Sequence, residues 1–416
     1  MKNGRLRSFA RVTLTRLGLM GMIRRRRAGE VIRPGDVIRR ETVESLVSGA
    51  DEYYRSAIAK GATPFLESKP FHSFDESPQV LVRLGWMLHG AKLTAGLRVA
   101  EYGGGAGWLA ALLWQMGCHV TCVDASAAAL DLARDVFEAR RPLLSRPDAT
   151  WSTALTDGHT LPLAGGSMDR VICFDVFHHV PNQEEILREF FRVLKPGGIA
   201  CFSEPGRYHS AMRASQEEMA NYRVLENDIV LEDIWELARR AGFTDVDVQP
   251  MLDASYTLSM DSYRSLVRRG AVGFRGRDAL MNGTESLSVF FLYKGAFAFD
   301  SRYASHLSAS IDVPAPNRAV CRNTGQARWL ARSVDGTEFG VVKLGVMKCD
   351  EGGAIVERDW IRVPLPHDVE PGGSVEISYE LPIPRHQSLI TRLDLVSEHL
   401  KWFGATTGPI AVRVSA

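Results

Sequence analysis

Short apolar runs alternate with amphipathic stretches between residues 97 and about 295. LRVAEY reads as a strand, WLAALLWQMG as a helix and HVTCVD as a second strand closed by Asp124. The helix SAAALDLARDVFEARR follows, and Val171 to Phe177 is a brief apolar run suited to a buried parallel strand. PNQEEILREFFRVLKPGG is an amphipathic helix, with Asn182 expected to cap it, Glu185 to reach back, and Gly197 and Gly198 to end it. IACFSEP, GFTDVDVQP and SLSVFFLYKG supply further strands. Strands alternating with helices predict an α/β fold with a mostly parallel sheet and right-handed crossovers.

The flanks differ. ETVESLVSGADEYYRSAIA and SPQVLVRLGWMLHG read as helices before the first strand, and residues 259 to 284 as a helical and loop insertion. Beyond residue 316, seven short segments (RAVCRNT, RWLARS, EFGVVKLGVMK, VERDWIRVPLP, SVEISYELPIP, SLITRLDLVSE and PIAVRVS) are punctuated by Gly, Pro, Asp and Asn. Val375, Ile377, Tyr379 and Leu381 alternate with Glu376, Ser378 and Glu380, a period of two that predicts an antiparallel β-sandwich of immunoglobulin-like size. The expected organisation is a basic tail over 1–40, a helical lid over 41–95, an α/β domain over 96–295, a linker over 296–315 and the sandwich over 316–416.

Gly103, Gly105 and Gly107 fall between the first strand and its helix, where a loop without Cβ atoms turns sharply and lets a ligand approach the backbone. A dinucleotide fingerprint would place its last glycine at 108, and Trp108 there disfavours that reading. Asp124 ends the second strand at the edge where open α/β sheets bind ligands, and its carboxylate suits a ribose diol.

Three further segments continue the series: Asp157-Gly158-His159-Thr160-Leu161-Pro162, Ser167 to Asn182, and Val193-Leu194-Lys195-Pro196-Gly197-Gly198. With the glycine loop they resemble the class I S-adenosylmethionine-dependent methyltransferases, in particular the small-molecule group, over about residues 75 to 295. The resemblance implies a Rossmann-like seven-stranded sheet whose last strand is antiparallel, with S-adenosyl-L-methionine as cofactor. It places Gly103 to Gly107 against the methionine part, Asp124 on the ribose, Asp157 on the adenine amino group and the Gly158 amide on the ring. Glu101, where the family usually has Asp, is expected to contact the methionine amino group, and Phe174 to lie at the sulfonium. The C-terminal region resembles small sandwich domains attached to bacterial polysaccharide-modifying enzymes, through its NTG segment, a following tryptophan, LP and PGG turns and Trp402-Phe403.

Charge is uneven. The chain carries +1 overall, but twelve basic and two acidic residues give the first forty about +10 and leave about −9 for the rest. A nucleic-acid substrate is therefore not expected, because the basic residues sit in a tail. That tail reads first as mobile and solvated; contact of Phe9, Leu14, Leu17 and the arginines with an anionic membrane is the alternative. Val12 to Ile23 is short and interrupted by Arg16, unlike a secretory signal, and no run of 18 apolar residues suggests a membrane span. Six scattered cysteines without a CxxC pattern read as reduced thiols of a cytoplasmic protein, peripheral at the inner membrane face if the tail binds lipid.

Methyl transfer from a sulfonium needs alignment first and, for a hydroxyl acceptor, a base. His178, His179, Glu204 and His209 lie near the carboxyl edges of the strands; His178 and Glu204 are the expected catalytic pair, and His179 is expected to support the turn. No metal cluster is visible in the sequence, so the expected reaction is metal-independent. Tyr53, Tyr54, Phe71 and His72 are candidate lid residues, and Tyr256, Tyr263, Arg264, Arg268 and Arg269 candidates for selecting substrate. Trp329, Trp360 and Trp402 either stack on sugars or pack the sandwich core. Asn323-Thr324-Gly325 reads as a turn and Asn282-Gly283-Thr284 as a loop. The favoured expectation is O-methylation of a saccharide or saccharide-bearing intermediate. The alternatives are another small metabolite, with the sandwich serving oligomerisation or partner binding, and a catalytically silent binding protein, which the intact glycine loop disfavours.

Overall fold

The computed structural model describes residues 31–141, 148–222, 224–252, 256–269, 274–334, 336–382 and 388–413. Most of the basic tail, with its proposed membrane contacts, lies outside the described residues. The chain divides into two compact units, 1–297 and 298–416.

The first unit begins with four helices, α1 (Pro34–Arg40), α2 (Val43–Ala59), α3 (Thr63–Glu67) and α4 (Ser77–Gly90). Then come β1 (Arg98–Tyr102), α5 (Trp108–Gln115), β2 (His119–Asp124), α6 (Ala127–Ala139), β3 (Trp151–Leu155) and β4 (Met168–Phe174). A single 3-10 turn, Phe177–His179, leads into α7 (Gln183–Val193) and β5 (Leu194–Pro205). The rest is α8 (Arg213–Asn221), α9 (Leu231–Ala241), β6 (Asp245–Gln249), α10 (Met260–Arg269), α11 (Phe274–Ser286) and β7 (Leu287–Tyr293).

The seven strands form one sheet in the order β3-β2-β1-β4-β5-β7-β6. β1 to β5 pair in parallel, and β7 runs antiparallel between β5 and β6. This is a Rossmann-like α/β architecture with a mostly parallel sheet. Chain direction across the sheet reverses between β1 and β4, so the loops leaving these strands open a crevice at their carboxyl ends. Both faces are covered, which is why the central strands read as continuous apolar runs. Neighbouring residues part to opposite faces: Val99, Ile172 and Cys201 join the core beneath α4, α5 and α6, whereas Ala100, Val171 and Phe202 join the core beneath α7 and α9.

Three local expectations differ. α7 stops at Val193, where Leu194 turns extended and starts β5, so Gly197 and Gly198 lie within that strand and do not end the helix. Asn182 precedes α7 but makes no side-chain cap; its amide donates to the Gly158 carbonyl at 3.0 Å and to Glu185 at 2.6 Å, tying two loops together. Asn282-Gly283-Thr284 lies in α11 and not in a loop, where the Thr284 hydroxyl meets the Met251 amide at 3.1 Å, a tertiary contact that local glycine propensity does not reveal.

The second unit holds two antiparallel sheets. β12 (Ser374–Ser378), β9 (Arg318–Asn323) and β8 (Ala309–Ala315) form one. β11 (Ile355–Pro364), β10 (Val342–Cys349), β13 (Ser388–Ser397) and β14 (Lys401–Trp402) form the other, with β15 (Ile410–Arg413) also on β13. Cys321, Val375 and Ile377 from the smaller sheet share one core with Leu344, Val346, Leu393 and Leu395 from the larger. β8 occupies part of the expected linker 296–315; its Pro314 is tolerated because β8 is an edge strand with a register shift between Asp312 and Ala315. RWLARS is no strand: Trp329 and Leu330 make isolated bridges to Val369 and Val341. Asn323 does make the expected turn, accepting from the Gly325 amide at 3.1 Å.

Phe202 and Phe290 stack with centroids 4.5 Å apart, both fully buried between β5 and β7. Phe290→Ala is expected to destabilise the first unit by about 3–5 kcal/mol, read as a lower urea midpoint of its unfolding transition with an unchanged slope.

Candidate functional site

The glycine loop leaves β1 at the crevice. Gly103 and Gly105 have φ of +68° and +55°, a region L side chains avoid. A Cβ on Gly103 would sit 2.0 Å from Val176, and one on Gly105 2.4 Å from the Tyr54 hydroxyl. The Gly105 amide donates to Asp124 Oδ2 at 2.9 Å, and the Ser126 amide to Oδ1 at 2.8 Å. Burial pushes the Asp124 carboxyl up, against the pull of these amides. Each carboxylate oxygen keeps a lone pair for a further donor, the requirement for holding a diol.

A cavity of about 410 Å³ opens beside this loop, with Gly103, Asp124, Thr156, Gly158 and Asp175 in its wall. Val43, Val47, Tyr53 and Tyr54 of α2 close it from the opposite side, so this helix of the expected lid is the one that covers the crevice. Phe71 is instead exposed, and His72 pairs with Glu76 at 2.7 Å away from the cavity. Lys69, Glu218 and Leu225 complete parts of the wall that the sequence reading did not single out.

Several expected residues are elsewhere. Asp157 caps its own turn, accepting from the His159 amide at 2.9 Å and the Thr160 amide at 2.7 Å; its neighbours Thr156 and Gly158 reach the cavity wall and it does not. These donors hold its carboxyl below the usual range. Phe174 is partly buried against Trp108, edge to face at 5.5 Å, beneath the Arg83 guanidinium at 4.7 Å, and does not line the cavity. Glu101 is buried under the loop, close to where a Cβ on Gly104 would lie, and its Oε2 has no hydrogen-bond partner among the described residues.

The expected catalytic residues, His178 and Glu204, are buried against each other and do not line the cavity. Glu204, with no solvent exposure, accepts from the backbone amides of Val176 at 3.1 Å, Phe177 at 3.0 Å and His178 at 3.3 Å, and meets His178 Nδ1 at 2.7 Å. Burial and the nearby Asp175 raise its carboxyl to about 7 despite those donors. His178 is buried, which holds its imidazole well below its ordinary value. One step on along the 3-10 turn, His179 swings into the cavity wall. Its Nδ1 donates to the Leu225 carbonyl at 2.7 Å, with Glu226 Oε1 at 3.3 Å.

Asp175 is held by a bidentate pair with Arg83 at 2.6 and 2.5 Å, and keeps φ at +54°. Burial would raise its carboxyl, but the guanidinium holds it below the usual range. The one available signal was Arg83 itself, a charge amid the apolar positions of SPQVLVRLGWMLHG. Tyr263, Arg264 and Arg268 lie on exposed faces of α10, and Tyr256 precedes it; none lines the cavity. The Arg269 side chain lies outside the described residues. In the second unit Trp329 is fully buried, whereas Trp402 is half-buried under Arg358 and Arg362.

Residues 100–202 match the methyltransferase domain family. The chain is 30% identical over 142 residues to a ubiquinone biosynthesis O-methyltransferase of Albidiferax ferrireducens, covering 34% of this chain and 52% of that protein. It is 30% identical over 183 residues to an arsenite methyltransferase of Aquipseudomonas alcaligenes, covering 42% and 53%. It thus spans about half the length of these curated relatives. Among solved structures, a phosphoethanolamine N-methyltransferase of Haemonchus contortus bound to S-adenosyl-L-methionine is similar at 20% identity and a TM-score of 0.38, over 64% of this chain and 61% of that one. The match over residues 100–202 assigns a methyltransferase domain to the first unit. The Haemonchus contortus enzyme holds S-adenosyl-L-methionine. The loop without Cβ atoms and the unpartnered buried oxygen of Glu101 fit such a ligand.

Burial raises the Glu101 carboxyl to about 8 from an ordinary 4.5. The folded state therefore binds a proton that the unfolded state has released, and stability falls as pH rises through that window. Glu101→Gln removes this dependence: melting temperatures should converge near pH 5 and favour the variant increasingly toward pH 8.

Proposed function

We propose that this protein transfers a methyl group from S-adenosylmethionine to a hydroxyl of a small acceptor. The observation that carries the reading is one cavity whose wall joins the Gly103 loop and Asp124 to an imidazole, His179, less than two turns of chain from Asp175. Asp124 would hold the ribose, and the Gly158 backbone with Val43 and Val47 would bound the adenine. Lys69, set between the fields of Glu101 and Asp175, offers the cation for a carboxylate. The bound cofactor supplies an activated methyl on sulfur, and the protein's work is to align an oxygen behind it and keep water out, worth up to roughly 7–11 kcal/mol. α2 performs the second task by lying over the loop.

The reading draws support from a relative named as an O-methyltransferase. A saccharide acceptor is the narrower reading. It rests on the likeness of the second unit to sugar-associated sandwich domains, with Trp402 and Trp360 the remaining stacking candidates once Trp329 is in the core. In that case residues 298–416 bind glycan; otherwise they serve association with a partner or a second copy.

Calorimetric titration of the full chain with S-adenosylmethionine should show one site. Asp124→Ala should weaken binding roughly 10- to 100-fold, the worth of charge-assisted hydrogen bonds. Gly105→Val should abolish it while circular dichroism stays unchanged. Normal binding by both variants would place the cofactor elsewhere.

A further inference from the structure

Three imidazoles and three carboxylates are gathered where the 3-10 turn, α8 and the segment 224–230 meet, and the expected pair His178 and Glu204 is the part of this cluster that a ligand cannot reach. We infer that His179 is the general base for a hydroxyl acceptor, oriented by the Leu225 carbonyl and by Glu226, which His209 fixes in turn. The inference rests on the function proposed above and assigns the proton's path within it.

A carbonyl oxygen only accepts, so the 2.7 Å contact with Leu225 puts the proton of neutral His179 on Nδ1. Nε2 is then the acceptor, and among the described residues it has no hydrogen-bond partner. The side chain is 36% exposed and stands in the cavity wall. His178, by contrast, spends Nδ1 on Glu204 and is enclosed.

Glu226 is 2% exposed and its Oε2 meets His209 Nε2 at 2.6 Å, leaving Oε1 facing His179 at 3.3 Å. Burial would raise the Glu226 carboxyl, but the hydrogen bond from His209 and the fields of His179 and His178 bring it below the usual range. Glu218 goes the other way, raised first by burial and then by the charge of Glu226. Of this pair Glu226 is the carboxyl held down and Glu218 the one raised, and Glu226 is the one beside His179. It stabilises the imidazolium that forms on proton transfer and holds the ring in one tautomer.

Bound S-adenosylmethionine would supply the methyl group and keep the electron pair of the broken carbon–sulfur bond as the acceptor oxygen bonds to the methyl carbon, and His179 Nε2 would take the hydroxyl proton. The charged or titratable groups facing His179 are His178 from its own turn, Glu226 from the following segment, Glu218 from α8, His209 through Glu226, and Asp175 and Lys69 in the cavity wall.

The test uses the full chain with S-adenosylmethionine and two hydroxyl probes, 3,4-dihydroxybenzoate as a phenol and methyl α-glucoside as a saccharide. His179→Gln should lower kcat on the accepted probe by about 10²–10⁴ and flatten the acid limb of the pH profile. Its cofactor affinity should stay within about threefold of wild type. Glu226→Gln should keep the limb but move it to lower pH, since the imidazolium loses its anion; a merely structural role would leave the limb in place. In wild type, nitrogen-15 NMR should find His179 as the Nδ1–H tautomer, a reading that stands even if a variant fails to fold. An Nε2–H tautomer, or unchanged turnover in His179→Gln, would overturn the assignment. So would turnover lost on chelation and restored by a divalent cation, since His178, His179 and Glu226 also bring ligand atoms within 4.8 Å of one another. Cofactor binding with no transfer to either hydroxyl overturns the acceptor class, whereas no cofactor binding overturns the underlying reading instead.

Discussion

The buried carboxylate of Glu204 is the constraint on which the site depends. It reaches from β5 across to the turn after β4, where three amides and an imidazole converge on its two oxygens. Removing a carboxylate from water is costly unless its lone pairs are filled, and here the filling groups are the backbone of residues 176–178. The turn is thereby locked, and its last residue, His179, is delivered to the cavity.

The same device recurs at the neighbouring loops. Asp124 gathers the amides of Gly105 and Ser126, so the loops after β1 and β2 are fixed relative to each other. Asp175 is clamped by Arg83 from α4, which ties the helices preceding the sheet to the loop after β4. Buried acids, each paired with amides or a guanidinium, thus hold three adjacent loops at the carboxyl edge of a rigid parallel sheet. The sheet supplies rigidity through its two apolar cores, and the acids transmit it to loops that would otherwise be free to vary.

The helices before β1 have a double role. α2 buries Ala57 within a small cluster against Leu132 of α6, yet offers Val43, Val47, Tyr53 and Tyr54 to the cavity. Its Asp51 accepts from the Ser126 hydroxyl at 2.9 Å and the Ala128 amide at 3.1 Å, at the start of α6. A cover anchored by one small cluster and a few polar contacts is less firmly held than the sheet beneath it, which suits an element that must admit a ligand.

Apart from the antiparallel last strand, which only the family resemblance implied, the sequence alone determined the α/β class, the parallel core, the glycine loop and Asp124. These follow from local signals: apolar periodicity reports burial of both sheet faces, and glycines at a strand-to-helix turn report backbone without Cβ atoms. It also marked the change to β structure near the C-terminus, while missing β8 behind its prolines. Only the tertiary structure decided which side chains share the cavity. His178 and His179 are identical in type and adjacent, and nothing local tells them apart; a 3-10 turn held by a carboxylate 26 residues away sends one inward and the other to the cavity. Phe174 and Asp157 lie in the right segments but outside the cavity wall, Phe174 packed against Trp108 and Asp157 capping its own turn. Glu218, Glu226 and Lys69 carry no motif, since a residue's electrostatic role depends on what folding brings beside it.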